Sequence, residues 1–208
     1  MQRRRPQILA PLPGTGSPPR GLFVSRFGAL LERTGGALPR HADEAPFQPR
    51  VIELLFRAGQ AGWNIYVVGN EDAVARGRTS DAAWERFDES LQAHLRAQGV
   101  CVTRHYACLD HPQGKPPHDK DSVFLFPNTG CLYHAAQEDG IELRESWLLS
   151  DDVLELAAAW RAGVRVAAVE AAGSRCERDI EVEPDLVVRT AFAGLGEILA
   201  GTAVSRLR

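Results

Sequence analysis

The chain has 208 residues, a length at which one domain can bury a core of its own. Hydrophobic residues make up 44% of it and charged residues 25%, and the formal net charge is -3. This balance is ordinary for a globular protein and argues against a general nucleic-acid or membrane binder.

The cysteines and the apolar stretches indicate the compartment. The chain has four cysteines, Cys101, Cys108, Cys131 and Cys176. Their spacing fits neither a dense disulfide framework nor a zinc site built from paired C-x-x-C motifs. Prolines interrupt the short apolar stretch behind the N-terminal arginines, so it does not resemble a secretory signal. No apolar run approaches the roughly 18 residues of a membrane span. We therefore expect a cytoplasmic protein.

Residues 1–19 differ in composition from the rest of the chain. They are rich in Arg, Pro, Gly and Ser and show no hydrophobic period. We predict a flexible, basic tail here, followed by one folded domain over residues 20–208. A solvated terminus is the favoured interpretation of the tail, and contact of its basic cluster with an acidic partner or RNA is the alternative.

The first half of the folded part alternates strands with helices. Residues 21–24 predict a buried strand, and Pro49 stands where a first helical turn tolerates proline, ahead of apolar residues at helical spacing. Residues 63–68 predict a second strand. Residues 79–81 then cap a helix whose core-facing positions run to Ala97.

The second half continues this alternation around one long loop. Residues 101–106 predict an edge strand. The prolines and charges of residues 109–122 predict a loop of a length that is usually functional or disordered. The remaining predicted elements are a helix at 130–140, a strand at 146–149, a helix from 151, strands at 164–169 and 185–188, and a helix through Leu199.

This order of elements argues for a parallel sheet covered by helices on both faces. Burial is expected for the tryptophans, Trp63, Trp84, Trp147 and Trp160. In open parallel sheets, binding and catalytic sites lie beyond the carboxyl ends of the strands. We therefore look for a site behind Val24, Val68 and Leu149 and around Phe126.

Short motifs at those strand ends resemble those of one known family. They are F-V-S-R-F-G-A at 23–29, V-V-G-N-E at 67–71 with A-R-G at 75–77, C-L-D-H-P-Q-G at 108–114, P-N-T-G at 127–130 and S-D at 150–151. Their order and spacing resemble F-L-D-R-D-G-T, V-V-T-N-Q…A-R-G, C-P-H-H-P-x-G, P-x-P-G and G-D. Those motifs belong to phosphatases of the haloacid-dehalogenase (HAD) superfamily that act on D,D-heptose 1,7-bisphosphate and on histidinol phosphate.

The resemblance covers residues 20–200 and carries an expectation about the fold. It implies an α/β, Rossmann-like three-layer architecture with a central parallel sheet and a minimal cap domain or none.

The residues that carry the family's chemistry are replaced in this chain. The phosphoryl-accepting aspartate corresponds to Ser25, a poor nucleophile without a base, and the acid–base aspartate corresponds to Phe27, which cannot move a proton. The phosphate-holding hydroxyl corresponds to Gly69 and the charge-neutralising lysine to Phe126, while Asp151 of the acidic motif is kept. The resemblance thus implies a degenerate catalytic site at these positions.

Binding can persist where chemistry is lost, because an anion cradle needs only main-chain N–H groups. The main chain of Gly69, Asn70 and Glu71 could supply such a cradle. The resemblance implies ligand-binding positions at Ser25, Arg26, Gly69, Asn70, Arg76 and Asp151.

A magnesium site would be incomplete. Asp151 and Glu155 correspond to acidic positions of the family, but the carboxylate of the nucleophile is missing. Capping of a helix by Asp151 and Asp152 is an equally good interpretation. We expect no cofactor, with Mg²⁺ bound only if residual phosphatase activity exists.

A zinc site would also be incomplete. Its four positions correspond to Cys108, Asp110, Ser122 and Phe124, of which one is kept in kind. Zinc held by Cys108 and Asp110, helped by His111 or His118, is chemically feasible, since imidazole and carboxylate are zinc ligands. We expect a turn-rich loop without zinc instead.

Three functions stay open. The first is a catalytically inactive pseudophosphatase that binds a protein or a small phosphorylated or sugar ligand, in a pocket made more apolar by Phe27 and Phe126. The second is a weak or specialised sugar-phosphate phosphomonoesterase that uses Ser25 or Asp151. The third is an interaction module that acts through the N-terminal tail. We favour the first, and the family suggests a monomer.

Overall fold

The computed structural model describes residues 18–33, 38, 44–170 and 182–205, with side chains up to residue 201. Most of the predicted tail, residues 1–17, lies outside the described residues, as does Cys176. The described elements are β1 (Arg20–Ser25), α1 (Val51–Gln60), β2 (Trp63–Asn70), α2 (Asp72–Ala75), α3 (Asp81–Ala97), β3 (Val102–Cys108), α4 (Gly130–Asp139), β4 (Trp147–Ser150), α5 (Val153–Arg161), β5 (Arg165–Val169), β6 (Leu186–Val188) and α6 (Ala191–Ser205).

The strands form one parallel sheet in the order β3-β2-β1-β4-β5-β6. The predicted α/β, Rossmann-like architecture is therefore confirmed, and β3 lies at the edge as expected. Strand β1 pairs with β2 on one side and with β4 on the other. The carboxyl ends of these three strands consequently lie side by side.

Alternate residues of β1 point to two separate halves of the core. Leu22 and Val24 pack into a cluster with residues of α1, α3 and α6. Phe23 packs on the other face with residues of α4 and α5. Near-complete burial of β1 on both faces is typical of a central parallel strand, and it fixes where Ser25 and the turn behind it can lie.

Two predicted core positions are wrong. Trp160 is 48% exposed, because it follows the buried stripe of α5 and lies on the solvent side of that helix. Ala97 is exposed in the last turn of α3, beyond the buried Leu95. Helical periodicity identifies the buried face within a helix, but residues in the last turn can be exposed even when they lie on that face.

The helix ends that border the site have clear local causes. Ser80 caps α3, with its hydroxyl accepting a hydrogen bond from the N–H of Ala83 at 3.3 Å. Asp152 caps α5 in the same way through the N–H of Leu154 at 2.8 Å. Gly140 closes α4 in the left-handed conformation. Across the described ranges, the helices are too short or too polar to cross a bilayer.

Candidate functional site

Two serines end the adjacent strands β1 and β4. Ser25 is 1% exposed and Ser150 is fully buried. The Ser25 hydroxyl donates a hydrogen bond to the carbonyl of Phe27 at 2.9 Å and also contacts the carboxyl of Glu155. Ser25 thus lies at the strand end where the resemblance places a nucleophile, with its proton engaged by a main-chain oxygen.

Glu155 reaches back from the first turn of α5 into this buried edge. The Ser150 hydroxyl donates to its carboxyl at 2.6 Å. The pKa of Glu155 is raised to about 8, because burial and the charge of Asp152 raise it more than the hydrogen bonds with Ser150 and Ser25 lower it. This pKa favours the protonated form of Glu155 at neutral pH, and a protonated carboxyl is neither a general base for Ser25 nor a carboxylate ligand.

Asp151 is held by Arg33, which comes from the loop behind β1. The Arg33 Nε lies 3.0 and 2.8 Å from the two carboxylate oxygens, and its Nη2 lies 2.7 Å from one of them. Nη2 also lies 3.5 Å from Asp152. The hydrogen bonds to Asp151 raise the pKa of Arg33. This bidentate geometry is the strong form of a guanidinium–carboxylate contact.

No sequence pattern pointed to Arg33 as a site residue. It is one of 24 basic residues and falls in an irregular segment 118 positions before its partner. The expected helix cap is found at Asp152, whereas Asp151 turns toward Arg33.

Gly28 brings the loop behind β1 against Asp151. Its φ is +103°, and a Cβ built on it would overlap the Asp151 carboxylate. The N–H of Gly28 donates to the carbonyl of Leu31 at 2.6 Å, which closes a tight turn. Only glycine combines this backbone conformation with so close an approach. The glycine that the motif shares with the family therefore has a packing role here.

A second arginine, Arg26, directly follows β1, lies beside the end of β2 and is entirely enclosed. Arg26 is 0% exposed, forms an ion pair with Glu71, and lies 4.7 Å above the ring of Trp84. Burial raises the pKa of Glu71 to about 7, while Arg26 acts to lower it. An added Cβ on Gly69 would lie 3.3 Å from Arg26 Nη1, so any side chain there would point at the ion pair.

These contacts correct two expectations. Arg26 is a structural cation, because a fully buried side chain paired with Glu71 presents no surface to a ligand. The main-chain N–H of Glu71 donates to the carbonyl of Cys108 at 2.8 Å, so it does not belong to a free anion cradle. The binding roles of Ser25, Gly69 and Asp151 stay predictions.

Asn70 organises the loop that contains Phe126. Its side-chain amide donates to the Phe126 carbonyl at 3.1 Å, and its side-chain oxygen accepts from the Phe126 N–H at 2.9 Å. Phe126 is 3% exposed and packs among core residues beside Cys131 and Leu132. The expectation that Phe126 lines an apolar pocket is therefore wrong, because the ring fills the core. Phe27, partly buried, stacks toward Phe87 with ring centroids 6.3 Å apart.

Arg76 lies away from these contacts. Its side chain is 41% exposed beside α2, with Nε 3.9 Å from Asp72. Its binding role stays a prediction.

The loop behind β3 is tied to α3 by a histidine between two acids. His118 lies 3.1 Å from Asp110 and 2.9 Å from Asp81, and these hydrogen bonds raise its pKa. Cys108 lies 3.4 Å from the carbonyl of Asp110, and burial raises the pKa of its thiol. Over the part of the chain that the structure describes, no three His, Cys, Asp or Glu side chains converge as a metal would require.

The residues at the carboxyl edge do not fit a magnesium ion. Mg²⁺ takes an octahedral set of oxygen ligands and is usually bound by ionised carboxylates. Here one position is the hydroxyl of Ser25, Glu155 is mainly neutral, and both oxygens of Asp151 contact Arg33.

The chain is similar in sequence to heptose bisphosphate phosphatases. No protein-family model matches the chain. A D-glycero-beta-D-manno-heptose-1,7-bisphosphate 7-phosphatase of Mesorhizobium japonicum is 28% identical over 182 residues, covering 86% of this chain and 80% of that protein. The corresponding enzyme of Haemophilus ducreyi is 24% identical over 172 residues, covering 82% and 93%.

Solved structures agree with these relatives. A HAD-like phosphatase candidate of Mesorhizobium loti superposes with a TM-score of 0.71 at 26% identity, covering 91% of this chain and 89% of that one. A D,D-heptose 1,7-bisphosphate phosphatase of B. bronchiseptica, complexed with magnesium and phosphate, superposes with a TM-score of 0.72 at 20% identity, covering 88% and 99%. The shared fold therefore extends over nearly the whole described chain.

Proposed function

Because this chain is a HAD-superfamily protein similar to the heptose bisphosphate phosphatases, we propose that it is a pseudophosphatase. It keeps the phosphatase frame for binding a protein or a small phosphorylated or sugar ligand, and it does not catalyse phosphoryl transfer. Phosphoryl transfer depends on positioning and on neutralising the transferring group. The chain lacks side chains for both tasks at the matching positions.

The observation that carries the proposal is the contact of Arg33 with Asp151. Asp151 is the acidic residue that the chain retains from the family's chemistry, and both of its oxygens are engaged by a guanidinium. Its side chain is 4% exposed, so a ligand reaches it only by displacing Arg33. Asp151, the residue that most supports activity in the sequence, is therefore not accessible to a substrate while Arg33 is bound to it.

The alternative is a weak sugar-phosphate phosphomonoesterase with Ser25 as the nucleophile. A serine hydroxyl needs a base to become nucleophilic. The acid in contact with Ser25 is Glu155, whose pKa of about 8 makes it a proton donor at neutral pH. The geometry therefore favours the inactive protein.

The deciding experiment measures phosphate release with Mg²⁺ from a panel of phosphomonoesters that includes heptose 1,7-bisphosphate and histidinol phosphate. We expect the wild type to match both the blank and the Ser25→Ala and Asp151→Asn variants. An active heptose bisphosphate phosphatase serves as the positive control. Wild-type turnover above the blank that disappears in either variant would show that the protein is an enzyme.

The binding role is tested separately by thermal unfolding with the same panel. A ligand that binds the folded state raises the melting temperature. We expect stabilisation by a phosphorylated or sugar ligand to be the same with Mg²⁺ and with EDTA. Stabilisation that EDTA abolishes would contradict a metal-independent binding site.

A further inference from the structure

We propose that Arg33 is a tethered cation that takes the place of a divalent metal at the carboxyl edge of the sheet. On this proposal, removal of Arg33 opens the carboxylate of Asp151 to a divalent cation. The inference rests on the proposed function and explains how the acidic residues persist without a metal.

The first support is geometric. Arg33 makes three contacts of 3.0 Å or less with the two oxygens of Asp151, and its Nη2 lies 3.5 Å from Asp152. A metal bound by Asp151 would have to approach the same oxygens. The guanidinium and a metal ion are therefore mutually exclusive there.

The second support is the local charge. Asp151 and Asp152 are neighbouring carboxylates at the start of α5, and Asp151 is 4% exposed. Neighbouring carboxylates repel each other, and a cation within reach of both reduces that repulsion. Arg33 is such a cation, since its Nη2 lies 2.7 Å from Asp151 and 3.5 Å from Asp152.

The third support is that Arg33 is held in place by its own loop. Leu31, two residues before it, bridges to Phe47 and pairs with Phe27. The turn at Gly28 brings this loop under Asp151. A tethered cation on a folded loop has a high effective concentration, which a free ion in solution must overcome.

The test is a titration with Mn²⁺, a probe for sites with oxygen ligands, followed by electron paramagnetic resonance or calorimetry. We expect no saturable binding to the wild type. The Arg33→Ala variant should bind Mn²⁺ at least about tenfold more tightly, because the guanidinium no longer occupies the carboxylate oxygens of Asp151. The further change Asp151→Asn in that variant should abolish the binding.

Arg57→Ala is the matched control, since Arg57 pairs with Glu53 at 2.9 Å on the exposed face of α1. It removes one arginine–carboxylate contact elsewhere and should leave Mn²⁺ binding as weak as in the wild type. Arg33→Gln, which keeps a side chain of similar polarity without charge, replaces Arg33→Ala if that variant does not fold.

Equal Mn²⁺ affinity in the wild type and the Arg33 variants would overturn the inference. That outcome is separate from failure of the proposed function, which is detected by turnover of the wild type. If the wild type shows no turnover and the Arg33 variant binds no Mn²⁺, the pseudophosphatase proposal is retained and the proposal of a tethered cation is rejected.

Discussion

Two arginine–carboxylate pairs close the same edge of the sheet, and solvent reaches only one of them. Arg26 and Glu71 are 0% and 5% exposed, whereas Arg33 is 49% exposed above an Asp151 that is 4% exposed. The enclosed pair is part of the frame and offers nothing to a ligand, and the loss of one partner alone leaves the other charge buried. The open pair contributes little stability but controls what the acidic edge can bind. The same pair of residue types thus has different effects on stability and on binding, depending on whether solvent reaches the pair.

The largest expected effect comes from breaking the enclosed pair. Arg26→Met leaves Glu71 buried without a cation. Because the pKa of Glu71 is already about 7 beside Arg26, we expect a loss of about 3–5 kcal/mol in the free energy of unfolding at alkaline pH, where the carboxylate is ionised. Chemical denaturation measures it. The loss should shrink at acidic pH, where Glu71 becomes protonated.

The double variant Arg26→Met, Glu71→Leu is the control. It removes the orphaned charge, so it should recover most of the stability. A single variant as stable as the wild type would contradict this prediction, and so would a double variant no more stable than the single variant. Either result would mean that Glu71 is not left as an uncompensated buried charge when Arg26 is removed.

The next effect concerns Glu155, a buried acid beside the open pair. Its pKa is raised from 4.5 to about 8, so between these values the folded state binds more protons than the unfolded state. The stability of the wild type therefore falls as pH rises through this window. Glu155→Gln removes the titration, and its stability relative to the wild type should grow by a few kcal/mol toward alkaline pH.

Unfolding free energies of both proteins across that pH range provide the measurement. The relative stability should be nearly constant below about pH 4.5 and level off above about pH 8. A constant difference across the whole range would show that Glu155 is ionised in the folded protein, which would restore it as a metal ligand.

Gly28→Ala tests how closely the loop approaches Asp151. The new Cβ would overlap the carboxylate, and the φ of +103° disfavours any side chain. We expect a loss of about 1–3 kcal/mol by chemical denaturation. In an Asp151→Ala background the loss should be smaller, because the overlap is gone.

Gly140→Ala is the control for backbone strain. Gly140 also has a positive φ, +65°, but nothing lies within 4 Å of an added Cβ. Its substitution should cost less than that of Gly28. Equal costs that the Asp151 background does not change would mean that the loop can move away from Asp151 freely.

The sequence predicted the fold better than the site, for a physical reason. Apolar runs bounded by turn-forming residues predicted the strands that end near Val24, Val68 and Leu149, since burial on both faces of a parallel sheet requires such runs. The strand ends were also predicted, so Ser25 and Asp151 were found at the right edge. The contacts of Arg33 and Arg26 were not, because no local pattern records which carboxylate a distant cation will meet.

The smallest expected effect is on the stability of the open pair. Arg33→Ala should cost about 1 kcal/mol or less, since half of the guanidinium is in water and its attraction to Asp151 is screened. The cost should fall as salt is raised from about 0.05 to about 1 M, where the Debye length drops to roughly 3 Å. The cost of Arg26→Met should hardly change over the same range, because salt ions do not reach the enclosed pair. Denaturation of both variants at the two salt concentrations separates the pairs. If the Arg33 variant loses more than the Arg26 variant and salt does not reduce that loss, then the open pair supports the frame, and Arg33 is a structural residue before it is a substitute for a metal.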